Sequence, residues 1–196
     1  NHRVAERLDV ACAGHAFAAA YLANDAALSL APVPLCVTQW SAREAAALFA
    51  RHGDAPRGDD LYGGFVSYAF APERDGLVSA LVEAGERGLA LIPEADAGAG
   101  YFARSPEDRF RAWCGHKTSL VLPLADDVSQ RLFDALLTGQ VPVVPRDLPD
   151  LDRLFDAETA AALPMVAFGR RTVEDVRAAA AEAVAAFDAD GETGTR

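Results

Sequence analysis

From residue 61 onward, short apolar runs alternate with stretches whose apolar positions recur every three or four residues. Tyr62-Gly63-Gly64-Phe65-Val66-Ser67-Tyr68 reads as a strand, and Leu77, Val78, Leu81 and Val82 then fall at helical spacing. Leu89-Ala90-Leu91-Ile92 is the next strand. Ser105-Pro106-Glu107-Asp108 opens a helix with proline at its first position, running to about Trp113. Strands follow at Ser119–Leu122, Val141–Val144 and Pro164–Phe168, with a helix over Ser129–Thr138 between the first two. A long closing helix carries Val173, Val176, Ala180, Val184 and Phe187 on one face, and its polar tail from Asp188 to Arg196 is expected to fray. Strands and helices alternating in this way predict βαβ units: an α/β, Rossmann-like parallel sheet covered by helices on both faces.

The first 60 residues have a different rhythm. Residues 1–31 are alanine-rich and read as helical, with Leu8, Cys12, His15 and Ala19 roughly four apart. Pro32 and Pro34 block helix and favour an extended segment over Ala31–Val37. A short helix is predicted over Ser41–Arg51, where Ser41 and Glu44 form a capping box. A polar loop covers His52–Asp60. The organisation expected is a helical segment and connector over 1–60, a Rossmann-like domain over 61–190 and a frayed tail over 191–196. The opening residues, interrupted by Arg3, Glu6, Arg7 and Asp9, do not form a secretory signal. The expectation is a piece of a longer protein, with 1–60 as the end of an N-terminal domain otherwise missing.

Composition narrows the function classes. Twenty-nine acidic residues against 18 basic ones give a net charge of −11, and Lys117 is the single lysine. That balance disfavours nucleic acid and anionic lipid, which need a basic footprint. No apolar run approaches the length of a spanning helix. Three widely spaced cysteines, Cys12, Cys36 and Cys114, fit buried reduced thiols in a cytoplasmic protein. Cys12 with His15 and Cys114 with His116 lack the paired spacing of structural zinc sites, so no metal is expected. The usual hydrolase, zincin and P-loop motifs are also absent.

The most informative stretch is Ser119–Pro145, which reads strand, polar loop, helix, glycine turn, strand. Ser129 stands as N-cap and Gly139 just past the helix end, where a left-handed residue is wanted. Leu132, Phe133, Leu136 and Leu137 would pack on the sheet, with Arg131 and Asp134 on the other side. Ligands of open parallel sheets bind at strand carboxyl ends, and helix N-terminal amides suit phosphate. The loop after Leu124 therefore reads as a diphosphate site, or else Arg131 and Asp134 form a solvated pair on an ordinary crossover helix.

The run Ser129-Gln130-Arg131-Leu132-Phe133-Asp134-Ala135-Leu136, followed by Gly139, Pro142, Val143 and Val144, resembles the signature of GT-B glycosyltransferases. It is most similar to the exostosin-like and related bacterial branches, with aspartate at 134 where they carry glutamate. Lys117–Pro123 resembles the strand that precedes this motif. The resemblance implies the donor-binding half of a GT-B fold: a metal-independent enzyme, without cofactor, moving a sugar from a nucleotide-diphosphate sugar to a glycan, lipid or protein acceptor. Carried over, Ser129 and Gln130 lie near the diphosphate, Asp134 takes the ribose, and Arg131 counts with them among the donor-binding residues. Gly64 belongs to the first strand's glycine pair, and Arg74 becomes the cation for the phosphates, with a surface arginine beside Glu73 and Asp75 as the plain alternative. Asp126 and Asp127 would have to point away from such a pocket.

Other candidates rank lower. Lys117 stands at the start of a strand, the wrong end for the expected site. Gly98-Ala99-Gly100-Tyr101-Phe102-Ala103 matches a dinucleotide fingerprint formally but lacks the strand-to-helix context, and reads as a loop beside the donor's base. His15 is a weak candidate for a general base, and the catalytic residues stay unassigned. A non-catalytic Rossmann-like module that binds a nucleotide or a partner protein fits the same pattern. A receiver-like domain does not, because Lys117 and Asp126 are not arranged as it requires.

Overall fold

The computed structural model of the chain describes residues 10–13, 29–32, 38–98, 100–101, 103–124, 128–148 and 151–193. In chain order its elements are β1 (Val10–Ala13), β2 (Ser29–Pro32), α1 (Ala42–His52), β3 (Gly63–Val66), α2 (Pro72–Glu83), β4 (Leu89–Ile92) and a 3₁₀ turn at Glu94–Asp96. There follow α3 (Pro106–Cys114), β5 (Thr118–Leu120), α4 (Gln130–Leu137), β6 (Val141–Pro145), α5 (Leu151–Leu154), α6 (Ala157–Ala162), β7 (Val166–Phe168) and α7 (Val173–Thr193). The protein is α/β, and its named strands pair in parallel throughout. It divides into two compact units: residues 1–37, 123–128 and 148–163, and residues 38–122, 129–147 and 164–196.

The second unit carries the predicted alternation. β3 pairs with β4, Gly63 opposite Leu89, and β5, β6 and β7 pair in that order. A parallel bridge between Tyr62 and Ser119 joins the two sets, with the Tyr62 N–H on the Thr118 carbonyl at 3.0 Å and the Leu120 N–H on the Tyr62 carbonyl at 2.9 Å. The resulting order is β4-β3-β5-β6-β7, a doubly wound sheet. One face buries Leu77, Val78 and Leu81 of α2 together with Val176, Ala179, Ala180, Ala183 and Phe187 of α7. A second cluster joins α1, α3 and α4 through Trp40, Ala45, Leu48, Phe110, Trp113, Cys114 and Ala135. Two prolines in the interior strand β6 cost the ladder little. β7 begins opposite Val143, so Pro142 stands ahead of that pairing, and β5 has ended by Leu120, short of Pro145.

Local signals explain most helix ends. Ser41 and Glu44 form the expected capping box, and Pro106 opens α3 behind a Ser105 cap. At the end of α4 the Gly139 N–H bonds the Leu136 carbonyl and the Gln140 N–H reaches the Ala135 carbonyl. This is a Schellman closure with Gly139 at φ +68°.

Three expectations change. Within 1–31, which alanine content made helical, Val10–Ala13 and Ser29–Pro32 are paired strands of the first unit, because propensity yields to pairing. The second unit starts at Thr38 rather than 61, since Trp40 and α1 complete its core. The tail from Asp188, expected to fray, is helical through Thr193 as the end of α7, and residues 194–196 lie outside the described residues. The first unit also holds α5 and α6, the latter capped by Asp156, whose Oδ1 accepts the Thr159 N–H at 2.7 Å. His15, Cys36, Asp126 and Asp127 lie outside the described residues.

Candidate functional site at the switch between β3 and β5

In the order β4-β3-β5-β6-β7 the chain leaves β3 towards one neighbour and β5 towards the other. Their carboxyl ends flank the crevice where doubly wound sheets take ligands. Two segments meet there: the loop from Ser67 to Ala71 and the start of α4.

The β3–α2 loop is fastened by Asp75. Its Oδ2 accepts the Ser67 hydroxyl at 2.8 Å and the Tyr68 N–H at 2.9 Å, while its Oδ1 receives Arg74 Nε at 3.1 Å and Nη2 at 2.8 Å. Arg74 Nη2 also donates to the Val66 carbonyl. Burial alone would raise the Asp75 carboxyl, but the hydrogen bonds from Arg74, Ser67 and Tyr68 outweigh it and hold the group below the ordinary range. Arg74, expected as the phosphate cation, is thus only 9% exposed and committed to Asp75 and the end of β3. It is neither a free cation nor a surface arginine. Gly64 is the second residue of β3, two positions before the strand's carboxyl end, and a Cβ there would make ordinary contact with Ile92.

At the start of α4 the Ser129 hydroxyl accepts the Arg131 N–H and Gln130 is exposed. The Arg131 guanidinium lies over the Phe65 ring, 4.6 Å from its centroid, and no carboxylate among the described residues pairs with it. Burial disfavours its charge, and the neighbouring Tyr101, Tyr62 and Asp134 support it. Arg74 approaches the same Phe65 ring at 6.0 Å, so two guanidinium groups converge on one aromatic side chain.

Asp134 does not form the solvated pair with Arg131 that their spacing allowed. It is 1% exposed, and both oxygens are taken by one residue: Oδ1 by the Gln39 N–H at 2.9 Å and Oδ2 by Gln39 Nε2 at 2.8 Å. Gln39 Oε1 accepts the Tyr101 hydroxyl, which in turn accepts Trp113 Nε1–H, both at 2.9 Å. Burial pushes the Asp134 carboxyl up against the opposing Gln39 hydrogen bonds. Burial likewise lifts the Tyr62 phenol to about 12, and Tyr101 adds to the effect. The structure therefore gathers Ser129, Gln130, Arg131 and Asp134 on one helix start and leaves Gly64 within β3. Gln39, Tyr101 and Phe65 carry no local signature, since each acts on a residue that only folding brings near, whereas Asp75 stands next to Arg74 in the sequence and was named there only as a neighbour.

The remaining candidates occupy other roles. Lys117 precedes β5 and pairs with Asp59 at 2.7 Å and Asp188 at 2.8 Å. Cys114 is a buried thiol against the Thr138 carbonyl, and His116 stacks on Tyr62 at 4.7 Å. Cys12 lies in β1. The glycines at 98 and 100 sit beyond the 3₁₀ turn with nothing near their Cβ positions, and Tyr101 contributes to the Asp134 network. Among the described residues no group of three His, Cys, Asp or Glu side chains could hold a metal, and no helix is long and apolar enough to cross a membrane. Comparison with models of protein families gave no match, and comparison with curated proteins gave none.

Proposed function

We propose that this chain is the donor-binding part of a cytoplasmic glycosyltransferase, holding a nucleotide-diphosphate sugar in the crevice between β3 and β5. The observation that carries the reading is Arg131: a guanidinium at the start of α4 that forms no ion pair with a carboxylate among the described residues, beside the amide-rich end of a helix at the sheet's switch point. It takes the phosphate role that sequence assigned to Arg74. A guanidinium binds phosphate oxygens bidentately, and the same charge steadies the diphosphate as it leaves the sugar. Ser129 and Gln130 border the diphosphate. Asp134 reaches a ribose only by exchanging Gln39 for the two ribose hydroxyls, because Gln39 already supplies two donors to its oxygens. The acceptor is a glycan, lipid or protein, and no metal or cofactor enters the reading.

Titration calorimetry with uridine and guanosine diphosphates tests it. One of the two binds the chain, and Arg131→Ala weakens that binding about tenfold or more, the range for hydrogen bonds to charged groups, with the thermal unfolding midpoint little changed. Absence of binding at millimolar nucleotide, or equal affinity in the variant, refutes the reading.

A further inference from the structure

Four residues at the β3–α2 edge, with Arg131 from α4, form a chain of contacts that runs guanidinium, ring, guanidinium, ring, ring. Arg131 Cζ stands 4.6 Å from the Phe65 centroid, and Arg74 Cζ stands 6.0 Å from the same ring and 5.7 Å from Tyr68. Tyr68 then stacks on Phe70 with centroids 5.3 Å apart and planes inclined by 20°. The inner members are buried or partly so. Phe70, the last, is 66% exposed, the most exposed large apolar side chain among the described residues.

The loop that carries this stack is not slack. Asp75 holds both Ser67 and Tyr68, and the Ala71 N–H bonds the Tyr68 carbonyl at 2.9 Å, closing a turn around Phe70. A ring kept in water by a fastened loop, at the carboxyl end of a strand bordering the switch point, is a preformed flat surface. We infer that Phe70, backed by Tyr68, is a stacking platform for the nucleobase of the bound nucleotide, an inference that rests on the nucleotide-binding reading above.

Two properties favour a base over the other flat partners of an aromatic ring. The Arg74 guanidinium at Tyr68 draws on the π density of the stack. An electron-depleted stack suits another π system better than the C–H face of a sugar, which seeks a negative ring face. The net charge of −11 disfavours a nucleic-acid strand, which favours a free nucleotide as the source of the base. Stacking is strongest for the largest ring system, so a purine gains more from this surface than a pyrimidine.

The experiment compares the full chain with Phe70→Ala and Phe70→Trp, using guanosine diphosphate, inorganic diphosphate, guanosine and maltopentaose as probes. Phe70→Ala is expected to weaken guanosine diphosphate roughly fivefold to a hundredfold, the range of base–aromatic stacking, and to leave inorganic diphosphate within about twofold. Fluorescence of the Phe70→Trp chain is quenched by guanosine and not by maltopentaose. Unchanged affinity of Phe70→Ala for a guanosine diphosphate that the parent chain binds overturns the platform while the donor reading stands. Quenching by maltopentaose instead of guanosine overturns it in favour of a sugar surface. Quenching by guanosine in a chain that binds no diphosphate keeps the platform and removes the donor reading.

Discussion

Asp134 and Gln39, 95 residues apart, are joined by two hydrogen bonds: the backbone N–H of Gln39 meets one carboxylate oxygen at 2.9 Å and its side-chain amide meets the other at 2.8 Å. Truncating Asp134, itself 1% exposed, to alanine leaves both donors of the half-buried Gln39 without this partner. An unsatisfied buried donor costs about 1–3 kcal/mol. Asp134→Ala is therefore expected to lose about 2–4 kcal/mol of stability by urea denaturation, and Asp134→Asn, which keeps one acceptor and the volume, about half of that. A ribose-binding role alone would leave stability nearly unchanged, so an unaltered midpoint would show that the Gln39 contacts carry no weight.

Asp75 makes a pH dependence. Arg74, Ser67 and Tyr68 hold its folded-state carboxyl below the ordinary value. The ionised form is thus favoured by folding, and the stability it contributes is present above the unfolded value near 4. That stability disappears as pH falls through the lower folded value. The difference in unfolding free energy between the parent chain and Asp75→Asn is expected to be constant from about pH 5 to 7 and to shrink below pH 4. At neutral pH, Asp75→Ala leaves the buried Arg74 guanidinium without its carboxylate and costs about 3–5 kcal/mol. A gap that widens with acid would reverse the sign and refute the assignment.

Features decided within a few residues were legible in the sequence. The capping box at Ser41 and Glu44, the proline-led start of α3, the glycine turn after α4 and all five strands of the second unit fall close to where the pattern puts them. Strand order, and with it the switch point, depends on pairing between distant segments and had no local trace. The same separation explains the site. Arg131 and Asp134 stand three apart and invite each other as partners, yet Phe65 and Gln39 claim them from other parts of the chain. Arg74 read as the cation for the donor phosphates, or else as a surface arginine beside Glu73 and Asp75; in the fold it is buried and paired with Asp75, which also holds the loop above it. The strand at Val10–Ala13 was hidden by alanine, whose helical preference is weaker than a parallel pairing.

Gly139 is needed for both its backbone and its bareness. At φ +68° an L side chain is strained, and a Cβ would stand 2.8 Å from a ring carbon of Phe49 in the neighbouring α1. Loss of the left-handed glycine costs about 1 kcal/mol, and displacing an aromatic ring adds to it. Gly139→Ala is expected to lower stability by about 1–3 kcal/mol in chemical denaturation. Gly85 supplies the control: it also has positive φ, at +99°, but nothing lies within 4 Å of its Cβ position. Gly85→Ala should lose only a backbone part, and a loss at Gly139 that does not shrink in a Phe49→Ala background would rule out the contact with Phe49.

Trp40 decides where the second unit begins. It is 2% exposed, donates its indole N–H to the Pro106 carbonyl at 3.0 Å, and meets the Phe110 ring edge-on at 5.0 Å. Truncating a buried aromatic of this size costs about 3–5 kcal/mol, which is a large part of the total stability of an ordinary domain. Trp40→Ala is expected to lose that amount, and Trp40→Phe less, since it keeps the ring contact and gives up the hydrogen bond. A chain shortened to begin at Leu61 removes Trp40, Ala45 and Leu48 together, exposing Phe110, Trp113 and Ala135. Such a chain should show no cooperative thermal transition, whereas one beginning at Thr38 keeps the whole cluster. Cooperative unfolding of the Leu61 chain would place the boundary at 61 and reduce α1 to an appendage.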